Sequence, residues 1–155
     1  MISDDAARID NILLEILGKA QGSQLCLVVD RDGIPIAGVS TEGGIDPILT
    51  QQLSALTGAL YESAVEQGLS LDLGEVEFQF IEYTEGYFFA RGAGHGLLLL
   101  FTSKDIEPTV IFKLMREYET IVCNLIENYS CEEPKELNDD IKALLSSEFM
   151  NFGNQ

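Results

Sequence analysis

The side chains able to do chemistry are few in this sequence, and their spacing argues against an active site. His95 is the only histidine, so a Ser/His/Asp, Cys/His or multi-histidine metal site cannot be assembled within one chain. Cys26, Cys123 and Cys131 cannot all pair internally, and none makes a CxxC or Cys/His ligand spacing. Free thiols in a reducing compartment are expected. The pairs Asp4/Asp5, Glu132/Glu133 and Asp139/Asp140 lack the loop spacing of a calcium site and read as surface charge. Gly92-Ala93-Gly94-His95-Gly96 has the composition of a phosphate-cradling loop. Such loops lead into a helix whose N-terminus holds the anion, whereas this one joins two strands, with His95 a solvated turn residue. GxxxxGK followed by Ser or Thr is absent, so nucleotide chemistry by that route would belong to a partner. Arg31 is the arginine best placed to reach a partner's phosphates, but Asp30 and Asp32 flank it and partly neutralise it. The expectation is a protein with no catalytic residues, no metal and no cofactor.

Composition narrows the partners. The chain has 155 residues, with 9 Lys plus Arg against 26 Asp plus Glu, for a formal net charge of -17. A phosphate backbone or an anionic lipid surface would repel it, which excludes nucleic acid and direct membrane insertion. The longest uninterrupted apolar run, 97–101, is far below the roughly 18 to 20 residues that span a bilayer. The N-terminus lacks the cationic start and apolar core of a signal peptide, so a cytoplasmic protein is expected. The composition is nevertheless 46% hydrophobic, more apolar surface than a small monomer of this charge needs. Some of it is expected to line an interface.

The elements that position these residues follow from periodicity. Residues 3–20 carry Ile9, Ile12, Leu13, Ile16 and Leu17 at helical spacing behind Ser3 as N-cap. Residues 24–30 read as a strand, Asp30-Arg31-Asp32-Gly33 as a turn, and 34–40 as the returning strand. Pro35 cannot donate to a ladder and sets that strand at the sheet's edge. Asp46-Pro47 caps a long helix to about Gln67, closed by Gly68. Residues 75–83 alternate, with Val76, Phe78 and Phe80 opposite Glu75, Glu77 and Gln79, as for a second edge strand. Residues 87–91 and 97–102 are further strands. The run Leu97 to Phe101 marks the latter as central, covered on both faces. Glu107-Pro108 opens a helix to about Tyr129 with Val110, Leu114, Tyr118, Ile121 and Leu125 recurring at three or four residues. The order is helix, two strands, helix, three strands, helix, an α/β domain over residues 1–129. Residues 130–155 form a linker and an amphipathic helix with a loose end.

The second helix has two stripes. Leu49, Leu53, Leu56, Leu60 and Ala64 are expected on the sheet. Gln52, Ala55, Ala59 and Ser63 are small or weakly polar and would let another helix approach closely. An edge strand at 75–81 with unpaired backbone groups is a hazard unless a sister strand satisfies it. The same residues also fit an ordinary wet helix face and an edge guarded by Glu75 and Glu77.

With Leu27-Val28-Val29-Asp30-Arg31-Asp32-Gly33-Ile34-Pro35-Ile36-Ala37 at the first hairpin, the chain resembles the Roadblock family of dynein light chains and small-GTPase regulators, which implies a Roadblock/longin-like α/β/α sandwich with a five-stranded, largely antiparallel sheet. The helix at 53–64, the strands at 81–91 and Leu99-Leu100-Phe101-Thr102-Ser103-Lys104-Asp105 extend the likeness over about residues 5–128. The resemblance implies a dimer, with itself or a related Roadblock-like chain, through the central helix and third strand. Its seam would include Ile48, Gln52, Ala55, Ala59, Ser63, Glu75, Glu77, Phe78, Gln79 and Ile81. It further implies a non-catalytic adaptor or regulator of a Ras-like small GTPase, or else a scaffold subunit of a larger assembly. A PAS-like small-molecule sensor shares this size and composition. In the last helix, Leu137, Ile141, Leu144, Leu145 and Phe149 could fold back on their own domain or enter a partner's groove.

Overall fold

The computed structural model describes residues 4–132. Eight elements follow one another: α1 (Asp4–Lys19), β1 (Ser23–Asp30), β2 (Pro35–Ser40), α2 (Pro47–Ser70), β3 (Phe78–Glu82), β4 (Gly86–Ala93), β5 (Gly96–Ser103) and α3 (Pro108–Glu132). The sheet order is β2-β1-β5-β4-β3, with every neighbouring pair antiparallel. Pro35 thus lies on an edge strand, β3 is the other edge, and the leucine-rich β5 is central, as periodicity predicts.

β5 is apolar throughout because both of its faces are covered. Leu98 and Leu100 join Cys26, Val28 and Phe89 under α1 and α3, which contribute Ile9, Leu13, Ile16, Ile111, Met115 and Ile126. Leu97 and Leu99 face the other way with Leu27, Val29, Phe88 and Ala90, under Tyr61 of α2. Burial of these side chains, roughly 1.5–3 kcal/mol each, is the main force holding the three layers together.

The first hairpin is built by its aspartate. Asp30 Oδ1 accepts from the backbone N–H of Asp32 and of Ile34, each at 2.9 Å, while Gly33 takes φ 81°. Left-handed backbone of this kind is what glycine adopts without steric cost. At the start of α2, Asp46 Oδ1 accepts from Ile48 N–H at 3.0 Å and Pro47 occupies the first turn, the expected cap.

Four expectations need correction. First, α2 does not lay its leucine stripe on the sheet: Leu49, Leu56 and Leu60 are exposed, and only Leu53 of the large residues is partly buried there. The sheet-facing side carries Ser54, Thr57, Gly58, Tyr61 and Gly68. The hydroxyls of Ser54 and Thr57 bond back to carbonyls one turn earlier, Ser54 to Thr50 and Thr57 to Leu53, each at 2.7 Å, so they need no other partner when buried. Small residues are required because the helix backbone rides on the first hairpin at Gly58 and Gly33. Second, α2 passes through the buried Gly68 and ends at Ser70, with Leu71 as its C-cap and Asp72 just beyond at φ 55°.

Third, the strand expected from residue 75 begins at Phe78. In the observed register Phe78 pairs with Arg91, so continuing the ladder would turn Glu77 to the α2 side together with Ile81. Outside the ladder, Val76 packs into the α2-side layer instead of sharing the face of Phe78, and both carboxylates remain exposed. Fourth, α3 reaches Glu132, and Val110 and Ile121 of its expected stripe are exposed. The buried line runs through Ile111, Leu114, Met115, Tyr118, Val122 and Ile126.

Candidate protein–protein interface

The expected chemistry-bearing residues are dispersed in the fold. His95 is exposed in the β4–β5 turn. Burial pushes the Cys26 thiol pKa up, and burial followed by the nearby Glu127 carboxylate does the same for Cys123, whose Sγ lies 3.7 Å from Glu127 Oε1. Neither is a ready thiolate. Arg31 donates through Nη2 to the Gly94 carbonyl at 2.9 Å, tying two hairpin tips together. Among the described residues no three His, Cys, Asp or Glu side chains are grouped to hold a metal, and no helix is long and apolar enough to cross a membrane.

What the surface does concentrate is apolar side chain, and α2 carries it. Ile48 (68% exposed), Leu49, Leu56 (64%) and Leu60 share the outward half of the helix with Gln52, Ala55, Ala59 and Ser63, all exposed. From Pro47 to Tyr61 there is no charged residue. An outward helix face without charge in a chain of net charge -17 is poorly matched to water, and such faces mark contacts with other proteins.

β3 lies beside that face, and Gln79 Nε2 donates to the Leu60 carbonyl at 3.3 Å, locking strand to helix. Of the strand residues expected at a seam, Phe78 turns inward, its ring 4.8 Å from that of Phe112 and 6.4 Å from that of Phe89, edge-on to both. Ile81 is partly buried in the α2-side layer. Glu75 and Glu77 are exposed in the segment before the strand. β3 therefore presents a free backbone edge, since it is hydrogen-bonded only to β4, while its side chains anchor it to its own sheet. The expected helix residues share one surface, and the edge adjoins it. Leu49, Leu56 and Leu60 belong to that surface although periodicity assigned them to the core. The signal that would have placed them outside is the alternative Ser54, Thr57, Gly58, Tyr61 stripe, whose small residues permit close packing. The segment holding Leu137, Ile141, Leu144, Leu145 and Phe149 lies outside the described residues.

Comparison with known proteins agrees with this architecture. Two uncharacterized proteins of Methanocaldococcus jannaschii are each 31% identical over 103 residues, 66% of this chain and 86% of theirs. Among solved structures, an MglB described as having a tetrameric arrangement superposes with a TM-score of 0.75 at 16% identity, covering 83% of this chain and 94% of that one. The gliding protein MglB from Thermus thermophilus gives a TM-score of 0.72 at 19% identity, with coverage of 83% and 95%. At these identities the structural likeness speaks to the fold. The sequence profile of the Roadblock/LC7 domain matches residues 9–103, from α1 through β5, and with that match the chain belongs to the Roadblock/LC7 domain family.

Proposed function

We propose that this protein is a non-catalytic, dimeric adaptor of the cytoplasm that regulates a Ras-like small GTPase. The observation that carries the reading is the uncharged outer face of α2, with its exposed Ile48, Leu49, Leu56 and Leu60, set against the free edge of β3. In this reading two protomers, identical or from a related Roadblock-like chain, cross their α2 helices at Gln52, Ala55, Ala59 and Ser63. Each β3 edge then finds a sister strand, giving one continuous sheet. The tetrameric arrangement described for an MglB supports self-association as a habit of this fold. The leucine flank left beside the crossing offers a helical surface to the GTPase, and nucleotide chemistry stays with the GTPase. The family and the apolar face favour this reading over a sensor.

Mixing the purified protein with the Ras-like GTPases of its own cell should yield a complex on size exclusion with one of them, together with an altered rate of GTP turnover. A complex set made only of non-GTPase subunits, with turnover untouched, would instead make the protein a scaffold.

The dimer brings two strongly acidic chains together, so raising salt from low to moderate concentration should tighten it as repulsion is screened over about 10 Å at 0.1 M. Sedimentation equilibrium across a salt series reads this directly, and marked weakening would show that ion pairs, not apolar contact, hold the seam.

A further inference from the structure

The sheet face that lies under α1 and α3 runs out of cover at its β3 edge. Phe89 of β4 is fully buried, while Phe80, its partner across the ladder, is 41% exposed. The Phe80 ring stacks on Tyr87 at 5.6 Å and 28°, and lies 5.2 Å from the ring of Phe89 and 5.5 Å from that of Phe112 on α3. Tyr87 and Phe112 are themselves only partly buried, so these rings form an aromatic shelf that faces outward beside α3. Pairing of the β3 edge with a sister strand would run through backbone groups in the plane of the sheet. It would leave this face open and add a second Phe80 beside it, so the shelf does not depend on the edge being free.

The border of the shelf carries an excess of cations, in a chain of net charge -17. Lys104 Nζ stands 4.6 Å from the centroid of the Tyr87 ring and pairs with Glu82 at 3.1 Å, and Arg91 pairs with Glu119 at 2.7 Å. Both carboxylates are thereby taken up. Arg116 lies one helical turn on from Phe112 and Lys113 next to it, both exposed and neither in an ion pair with another described residue. Glu117 is rotated well away from Phe112 around the helix, and Asp105 and Glu107 belong to the turn before α3. The apolar face of α2 offers no such border, since no lysine or arginine occurs between Arg31 and Arg91.

We infer that residues 133–155 fold back along α3 of the same protomer and dock on this shelf as an amphipathic helix. Its apolar stripe lies along α3, its last aromatics, Phe149 and Phe152, cover the rings of Phe80, Tyr87 and Phe112, and Glu148 meets Arg116 and Lys113. Charge selects the segment: Glu133, Glu136, Asp139, Asp140 and Glu148 outnumber Lys135 and Lys142, so the acidic α2 side repels it and the cations beside Phe112 attract it. Its length suffices. From Phe112 to the end of α3 at Glu132 is about 30 Å along the helix axis. After a reversal at Pro134, a helix over 137–149 runs back about 20 Å, and the residues beyond it span up to roughly 20 Å more. The inference goes beyond the proposed dimer and does not require it, because shelf and segment belong to one chain.

Hydrogen exchange followed by mass spectrometry on the full chain tests this. Amides of 137–149 should exchange at least about tenfold more slowly than in an unstructured chain. The double variant Phe80→Ser, Arg116→Glu, with both changes at exposed positions, should lose that protection while circular dichroism and protection of the core strands stay unchanged. A water-soluble carbodiimide should also join Lys104 or Lys113 to Glu148. In a mixture of isotope-labelled and unlabelled protein these products should stay within one chain. Unprotected amides at 137–149, or protection that survives the double variant, overturn the inference. Products joining labelled to unlabelled chains would seat the second copy's segment on the shelf, and a lack of products would place the segment elsewhere. Either result also overturns it, while the mass of the wild-type protein tests the dimer separately.

Discussion

Replacing Ala59 with arginine should convert a particle of twice 17.0 kDa into one of 17.0 kDa without unfolding it. Ala59 is exposed in the protomer, and arginine is nearly as good a helix former as alanine, so nothing in the single chain opposes the change. At the proposed crossing of two α2 helices the same position would be closed in by Gln52, Ala55, Ala59 and Ser63 of the second copy. A long side chain there overpacks the seam, at roughly 1–3 kcal/mol. It also strands a charge away from water, at about 3–5 kcal/mol when no partner compensates it. Even the lower sum, roughly 4 kcal/mol, raises the dimer Kd by on the order of a thousandfold. Sedimentation equilibrium measures the mass and far-ultraviolet circular dichroism checks the helix content. A variant that stays folded at the dimer mass would remove α2 from the interface, and with it the proposed continuous sheet.

The prediction depends on a face of α2 that was half legible in the sequence. The small stripe was visible because Gln52, Ala55, Ala59 and Ser63 recur every three or four residues, and the structure leaves all four in solvent. The leucines beside them were misassigned, since large apolar residues at helical spacing normally face a core. What decides their placement is a distance invisible to periodicity: α2 lies so close to the first hairpin that only glycine and hydroxyl residues fit beneath it. Strand order was legible for local reasons, with Pro35 marking one edge and Leu97 to Phe101 the centre. The start of β3 was not, because alternation at Glu75, Val76 and Glu77 satisfies the strand pattern whether or not the chain stays in the ladder. The competition there is between extending a ladder and keeping Glu77 out of the α2-side layer, and the carboxylate decides it.

The contact that holds α2 close also predicts a large loss of stability from a branched side chain at Gly58. A Cβ on Gly58 would stand 2.9 Å from Gly33 Cα and 3.1 Å from Gly33 N. Both are backbone atoms of a hairpin fixed by Asp30, so they cannot rotate away as the end of a side chain can. Gly33 in turn sits at φ 81° with its own Cβ position 3.0 Å from the Ser54 carbonyl oxygen, so the hairpin has no free direction in which to yield. Gly58→Val should therefore lift α2 off Val29 and Leu97 in the layer below, at roughly 3 kcal/mol for overpacking, lowering Tm by on the order of 10 °C. Gly18 in α1 provides the opposite sign, because a Cβ there meets nothing within 4 Å. Gly18→Ala should raise stability by up to about 1 kcal/mol through helix propensity alone. Urea unfolding of the two variants beside the wild type measures both effects, and a Gly58→Val variant as stable as the wild type would mean that α2 does not rest on the first hairpin. Because that contact turns the leucines outward, the same result would remove the physical basis for an apolar α2 surface.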